Sequence, residues 1–356
     1  MKYSRKKQSG LPKISRRNFV KFSALGAASL SFAPKLLSGH ETLFQNTLNS
    51  TSSSVVIIKN NDVVNSNGLV NPELTYEMLT KALLEFTGKD SISDAWKIYF
   101  TPEDIIGIKL STLGLANIEG TDFVSHFSAV TNAIVKSLTV AGFDESNFIV
   151  WDRSDEELSS AGLKIQKEEG KLRILGHHSD RRTPSIGYTD KTFPVGDKST
   201  HISKILHDMC TAIINVPIPK HHRNAGLTCA LKSHYGSIDN AWEFHANGCT
   251  NPGIPEVNMI KPIRNKQRLI ICDAMVGLME SGPRWNAEYV FPYGAIMVGT
   301  DPVAIDAVAM EIIDEQRTKA DLPLLRDRVE YLKMAEDLGL GNSNLKNINV
   351  VEINLS

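Results

Sequence analysis

The chain has no excess of charge of either sign. Its 39 lysines and arginines stand against 40 aspartates and glutamates, a formal net charge of −1 over 356 residues. Without a global field there is nothing to gather nucleic acid or an anionic lipid surface, and no nucleic-acid partner is expected. Cysteine is scarce. Cys210, Cys229, Cys249 and Cys272 contain no Cys-x-x-Cys, so neither a ferredoxin-type iron–sulfur cluster nor a zinc ribbon is signalled. Disulfides in an exported chain and buried free thiols both stay open for these four. Past the amino terminus no apolar run reaches about 18 residues, so no later membrane span is expected. No internal repeat is visible either, which leaves no sign of a solenoid or propeller.

What is present begins with a targeting segment. Lys2, Arg5, Lys6, Lys7 and Lys13 have no acidic residue among them, and Ser15-Arg16-Arg17-Asn18-Phe19-Val20-Lys21 leads into a weakly apolar run, Phe22 to Ala33. A basic region followed by a short apolar one reads as a signal peptide, too short for a stable span. The arginine string resembles the twin-arginine export signal. That resemblance implies the twin-arginine translocase as a partner and a periplasmic or otherwise exported location, with the segment cleaved or kept as an anchor. It also implies export in the folded state, often around a cofactor. The chain then divides into a signal segment (1–39), a Ser-, Thr- and Asn-rich linker (40–54) and an α/β domain (55–356) in which two lobes are allowed.

Beyond the leader, 42% hydrophobic and 22% charged residues are the composition of an ordinary globular protein with a large core. Apolar runs predict strands at Val55–Lys59, Asp104–Leu110, Phe148–Trp151, Leu172–Leu175, Thr211–Val216, Arg268–Cys272, Ala295–Val298 and Ile348–Ile353. Helical spacing predicts helices from about Asn71, over Asp122–Val140, near Glu156–Leu163, at Ile202–Met209, from Pro302, and over Leu325–Leu338. Residues 236–265 lack periodicity and read as one long ordered loop over the site. Strands alternating with amphipathic helices predict an α/β fold, a largely parallel sheet flanked by helices.

On such a sheet, ligands bind beyond the carboxyl ends of the strands. The polar residues expected there are Lys109, Asp152, the Lys220–His222 segment, Asp273 and Asp301, all on one rim if the sheet is parallel. The centre of the pattern is Ile213–Gly236: a short strand, a basic loop Lys220-His221-His222-Arg223, and a helix-like segment with Thr228, Lys232 and Tyr235 on one side. Lysines, histidines and carboxylates together can bind an anion and move protons, or hold a metal. His222, His234 and His245 are the metal candidates, although their spacing matches no zinc motif. A polar stretch with His177, His178, Arg181 and Arg182 lies outside this pattern. Asp301 before Pro302 also suits a helix cap, and Asp306 the helix dipole.

Four separated motifs carry a family resemblance. Ile108-Lys109-Leu110-Ser111 is similar to a strand end Ile-Lys-x-Asn, with Ser111 in the asparagine place. Asn215, Pro217, Lys220, His222, Gly226, Thr228, Lys232 and Gly236 match a central signature of roughly Asn-x-Pro-Lys-x-Lys-Thr-His, Gly-x-Thr, Lys-Asn and glycine. The chain departs from it at Ile218, His221 and Ser233. Asp273 through Gly282-Pro283 matches a third motif, with Glu280 one place late, and Thr300-Asp301-Pro302-Val303-Ala304-Ile305-Asp306-Ala307-Val308 matches a fourth. On these the chain resembles the bacterial and archaeal domain-of-unknown-function family numbered 362. The resemblance implies a fold distantly similar to that of the nickel-pincer lactate racemase, a fold-level analogy only. Some members carry a ferredoxin-type insertion whose cysteines are missing here.

The expectation is an exported protein acting as an enzyme on a small anionic molecule by lysine and histidine acid–base chemistry, with a metal or cofactor as an optional addition. Lys220, His222 and Lys232 are the catalytic candidates; Lys109, Asn215, Thr228, Asp273 and Asp301 are the substrate-binding candidates. The alternative is a periplasmic protein that binds or delivers a metal or an anion without catalysis.

Overall fold

The strand directions decide which of these residues can meet. In the computed structural model the described residues are 52–114, 120–180 and 183–355. The export signal, most of the linker and Arg181–Arg182 lie outside the described residues. The strands in chain order are β1 (Ser53–Asn60), β2 (Ile106–Lys109), β3 (Phe148–Ser154), β4 (Arg173–His178), β5 (Phe193–Val195), β6 (Lys198–Thr200), β7 (Ala212–Asn215), β8 (Lys220–His222), β9 (Gly226–Thr228), β10 (Gln267–Leu278), β11 (Val290–Gly299) and β12 (Ile348–Leu355). The helices are α1 (Pro72–Thr87), α2 (Ile92–Lys97), α3 (Ser125–Val140), α4 (Asp155–Ser160), α5 (Ala230–Ser233), α6 (Ile254–Asn258), α7 (Lys261–Lys266), α8 (Pro302–Lys319) and α9 (Tyr331–Asp337).

The main sheet runs β12-β1-β11-β10-β7-β2-β3-β4. Every neighbouring pair in it is parallel except β1–β11 and β11–β10. The expected α/β architecture, a largely parallel sheet flanked by helices, is therefore what the chain adopts, with one strand reversed. The reason is the connection. Residues 279–289 between β10 and β11 hold one short 3₁₀ turn, Ala287–Tyr289, and no crossover helix. A parallel return needs a dozen or more residues, usually with a helix, so β11 folds back as a hairpin.

Side chains alternate across each strand, as the pleat requires. In β1, Val55 and Ile57 enter one core while Val56 and Ile58 enter the other. Residues of α1, α2 and α3 cover the second face and residues of α6, α7, α8 and α9 the first. Caps fix the ends of the long helices. Asn71 accepts from the Glu73 and Leu74 N–H groups ahead of Pro72, and Asp301 accepts from Val303 and Ala304 ahead of Pro302.

The helix expected over Leu325–Leu338 is a 3₁₀ turn, Leu325–Asp327, followed by the shorter α9, and two further expectations about local structure need correction. The basic loop is a β-hairpin, β8 paired antiparallel with β9, Lys220 opposite Thr228 and His222 opposite Gly226. Thr228 is thus a strand residue, and the helix after it is one short turn, α5. The supposed loop over 236–265 holds α6, most of α7 and several 3₁₀ turns, which pack Phe244, Ile254 and Val257 into the core. All four cysteines are buried free thiols, and the Cys229 and Cys272 sulfurs lie 3.6 Å apart.

Candidate functional site

β2, β3 and the β8–β9 hairpin end around one cavity of about 140 Å³, closed on the far side by α5 and the 3₁₀ turn Ala241–Phe244. The hairpin alternates as any strand does. Lys220 and His222 line the cavity, while His221 turns away and takes the Gly282 N–H on Nδ1 at 3.1 Å. Gly226 makes the return possible: its φ of +78° disfavours other residues, and a Cβ there would sit 2.6 Å from Val329. From α5 comes Lys232, and from the following turns Tyr235 and His245.

At the floor is a buried ion pair. Lys109 Nζ donates to Asp152 Oδ1 at 3.0 Å and to the Leu110 carbonyl at 2.6 Å. Asp152 Oδ2 accepts from the Thr112 N–H and hydroxyl, both at 2.7 Å. Burial pushes this carboxyl up, but the Lys109 ammonium and the Thr112 donors outweigh it, and Asp152 sits below the ordinary carboxylate value. Gly236 passes directly above; a Cβ there would come within 3.0 Å of Lys109 Nζ.

The other two lysines have no carboxylate partner among the described residues. Lys220 Nζ donates to the Leu113 carbonyl at 2.8 Å, and Lys232 Nζ meets His245 Nε2 at 3.1 Å. Burial brings Lys220 down to about 8, with nearby Asp152 pulling it back up and Lys109 lowering it further. Burial likewise brings Lys232 down to about 8, with Cys249 pulling up and Lys220 pushing down. Lys232 also lies over the Tyr235 ring, 4.1 Å from its centroid.

Hydrogen bonding fixes the tautomers of both histidines. His222 Nδ1 accepts from the Asn224 and Ala225 N–H groups, each at 3.2 Å, so its proton is on Nε2. His245 Nδ1 donates to the Ala241 carbonyl at 2.8 Å, which leaves Nε2 as the acceptor for Lys232. Burial, then the Lys232 and His245 charges, hold His222 down at about 2; burial and Lys232 hold His245 at about 4. His222 is therefore a neutral donor near pH 7, and within the cavity lining Lys220 and Lys232 are the groups brought down toward neutrality.

The remaining expected site residues are elsewhere. The single shared rim holds for Lys109, Asp152 and Lys220–His222 but fails for Asp301. Because β11 is reversed, Asp301 lies at the amino-terminal rim, where it accepts from Ser53 Oγ at 2.5 Å and the Asn342 N–H at 2.8 Å. Asp273 sits within β10 and accepts from the buried His126 Nδ1 at 2.5 Å, outside the cavity lining. Asn215 braces the floor from below, donating to the Ala230 carbonyl at 2.9 Å and to Gln267 at 2.8 Å. Thr228 does line the cavity, with its buried hydroxyl unpartnered among the described residues.

The three-histidine metal set does not assemble. His234 is fully buried between Ser237 and Gln267, at 3.1 and 2.9 Å, away from the cavity. His222 and His245 do face each other, ring centroids 5.5 Å apart, but the bonds above already occupy three of their four nitrogens. Among the described residues no three His, Cys, Asp or Glu side chains group as metal ligands. The donor set among the described residues does not fit a resident metal.

Two residues of the site area gave little sequence signal. Arg153, beside Asp152 on β3, lines the cavity mouth and is held by Glu157, Nε to Oε2 3.0 Å. Asp306 on α8 accepts from the Ala230 N–H at 2.5 Å and from the Tyr331 hydroxyl at 3.1 Å, which anchors the start of α5. Its place in the fourth motif was the available clue.

Residues 117–311 match the family described as a domain of unknown function, DUF362. The chain belongs to that family. The DUF362 match takes in the hairpin, α5, Asp273, Asp301 and Asp306, and begins after Lys109. No curated protein matches the chain in sequence. A crystal structure of a Thermotoga maritima protein is similar to the chain at 11% identity with a TM-score of 0.40, covering 76% of this chain and 60% of that one. The chain thus spans less than two thirds of that protein's length. Among the described residues no helix is long and apolar enough to cross a membrane.

Proposed function

We propose that this DUF362 protein is an enzyme that binds a small anion in the lysine-lined cavity and acts on it by proton transfer. The observation that carries this is the pair Lys220 and Lys232. Both are buried, line one cavity and titrate near 8, and neither is hydrogen-bonded to a carboxylate among the described residues; Asp152, in the same cavity, is paired with Lys109. Two desolvated ammonium groups without a counter-ion favour an anion, and a lysine near 8 can give up and take back a proton at neutral pH. The His222 Nε2–H adds a neutral donor. Lys232, donating to His245 Nε2, is the group we assign to move the proton, with Lys220 holding the anion. Lys109 and Asp152 neutralise each other and keep the floor in place. Export before function, through the twin-arginine pathway, is part of the same proposal and rests on the Arg16-Arg17 segment.

The test is a panel of small organic acids and phosphate titrated calorimetrically, followed by incubation of each binder in D₂O and NMR. We expect saturable binding that weakens about tenfold or more in Lys220→Met. Deuterium should enter a bound acid in the wild type and not in Lys232→Met. Binding should also weaken as pH rises through about 8, because the lysines lose the charge that holds the anion. Saturable binding with no exchange and no product would replace the enzyme with a binding protein.

A further inference from the structure

A second, larger space opens from the mouth of the lysine cavity. It measures about 440 Å³, against about 140 Å³ for the inner one. The two share Arg153, Tyr235 and His245 in their walls, so they form one continuous cleft with a waist. The inner volume suits an anion of a few atoms; the outer one falls in the range of organic ligands, about 300–1,000 Å³.

The two chambers also differ in charge. The inner one holds the lysines. The outer one is walled by Tyr188, His178, Trp242 and Asp239, with Arg153 at the waist already paired to Glu157. Burial keeps the Tyr188 phenol protonated and lowers His178, so both are neutral near pH 7. Asp239 is held by the Thr200 hydroxyl at 2.9 Å and the His201 N–H at 3.0 Å. Nothing in this chamber asks for a second anion.

Trp242 is the telling residue. At 75% exposure it is the most exposed large apolar side chain among the described residues, and it stands at the outer wall of the cleft. Leaving an indole in water has no folding benefit, whereas a ligand ring stacked on it would bury both faces. With Tyr188 and Tyr235 in the same walls, the chamber is built for flat, uncharged groups.

We infer that the ligand of this cleft is an anion joined to a planar ring, its head between Lys220 and Lys232 and its ring against Trp242 and Tyr188. This rests on the anion-binding reading of the inner cavity and adds the class of ligand. Carboxylate and phosphate heads share the required chemistry, and the probes separate them. Titration of the whole protein with acetate, phenylacetate, phosphate and phenyl phosphate is the experiment. At least one phenyl compound should bind roughly tenfold tighter than its parent anion, through the added aromatic contact. The preferred pair identifies the head. In Trp242→Ala that ratio should fall below about threefold, and Trp242→Phe, which keeps a ring, should retain most of it. Tyr188→Leu should lower the same ratio without touching the exposed indole. Equal binding of phenyl and parent anions in the wild type, or a ratio unmoved in both Trp242→Ala and Tyr188→Leu, overturns the inference and leaves the inner site standing. If no probe binds, with the same result in Lys220→Met, the inner anion site itself is wrong, and the inference falls with it.

Discussion

Burial holds His177 at about 3, His222 at about 2 and His234 at about 4, all below the ordinary histidine value of 6.5. A group whose folded value is depressed in this way is neutral in the native state while the unfolded chain still takes up its proton. Stability is therefore lost as pH falls below about 6.5. His177 isolates the effect, since both its ring nitrogens are buried without a partner among the described residues. In His177→Leu the stability relative to wild type should improve by about 1 kcal/mol for each pH unit below 6.5. Urea unfolding at pH 7.0, 5.5 and 4.5 would show it, and a constant difference across that range would mean that His177 does not titrate as described. Residue types are legible in the sequence: the lysines and histidines of the hairpin stand out as a basic segment that follows an apolar strand. Their protonation states are not, because they depend on which nitrogen meets which backbone group.

A short element can be set by one residue distant in sequence, and α5 is an example. It has four residues and no side-chain cap of its own, yet it delivers Lys232 to the cavity. Its first N–H groups go to Asp306 on α8, at 2.5 Å from Ala230 and 3.4 Å from Leu231, and Tyr331 on α9 steadies that carboxyl. Asp306→Ala leaves the buried Ala230 N–H unpaired and should cost about 2–3 kcal/mol of stability. Anion affinity should fall as well, by about tenfold, as Lys232 loses its placement. Chemical denaturation and calorimetry on one sample would separate the two effects. A variant with wild-type affinity would mean that α5 holds its position without Asp306. From sequence, Asp306 looked like a helix-dipole residue, because its partner lies 76 residues away. The hairpin was hidden for a different reason. β8 and β9 are three residues each, and the prolines before them suppress the usual strand pattern.

At the scale of the whole molecule, the reversed β11 divides the polar residues between two rims, and this is where the sequence was misread. The eight strands from β12 to β4 in the main sheet order lie nearly where their apolar runs predict them, whereas β5, β6, β8 and β9 have no such run. The alternation of strands and helices implies a parallel direction, but the stretch between Leu278 and Val290 holds only a 3₁₀ turn and no α-helix to carry a parallel crossover. Reversal carries Asp301 to the rim opposite the lysine cavity. There it ties the first strand, the start of α8 and the approach to the last strand, through Ser53, Val303, Ala304 and Asn342. Burial raises this carboxyl against those four hydrogen bonds, so the site is a structural clamp under load. Asp301→Ala should lower stability by about 2–4 kcal/mol, from the lost cap and the unpaired neighbours, while anion affinity stays within about twofold. Asp152→Ala should do the reverse in emphasis. It frees Lys109 at the floor of the cavity and leaves its buried charge unpaired, so anion binding changes together with stability. The comparison is decisive because both residues are hydrogen-bonded aspartates at or just past the carboxyl end of a strand, one on each rim. If Asp301→Ala lost tenfold in affinity at unchanged stability, the two rims would have to communicate, and the cavity could not be treated as the whole site.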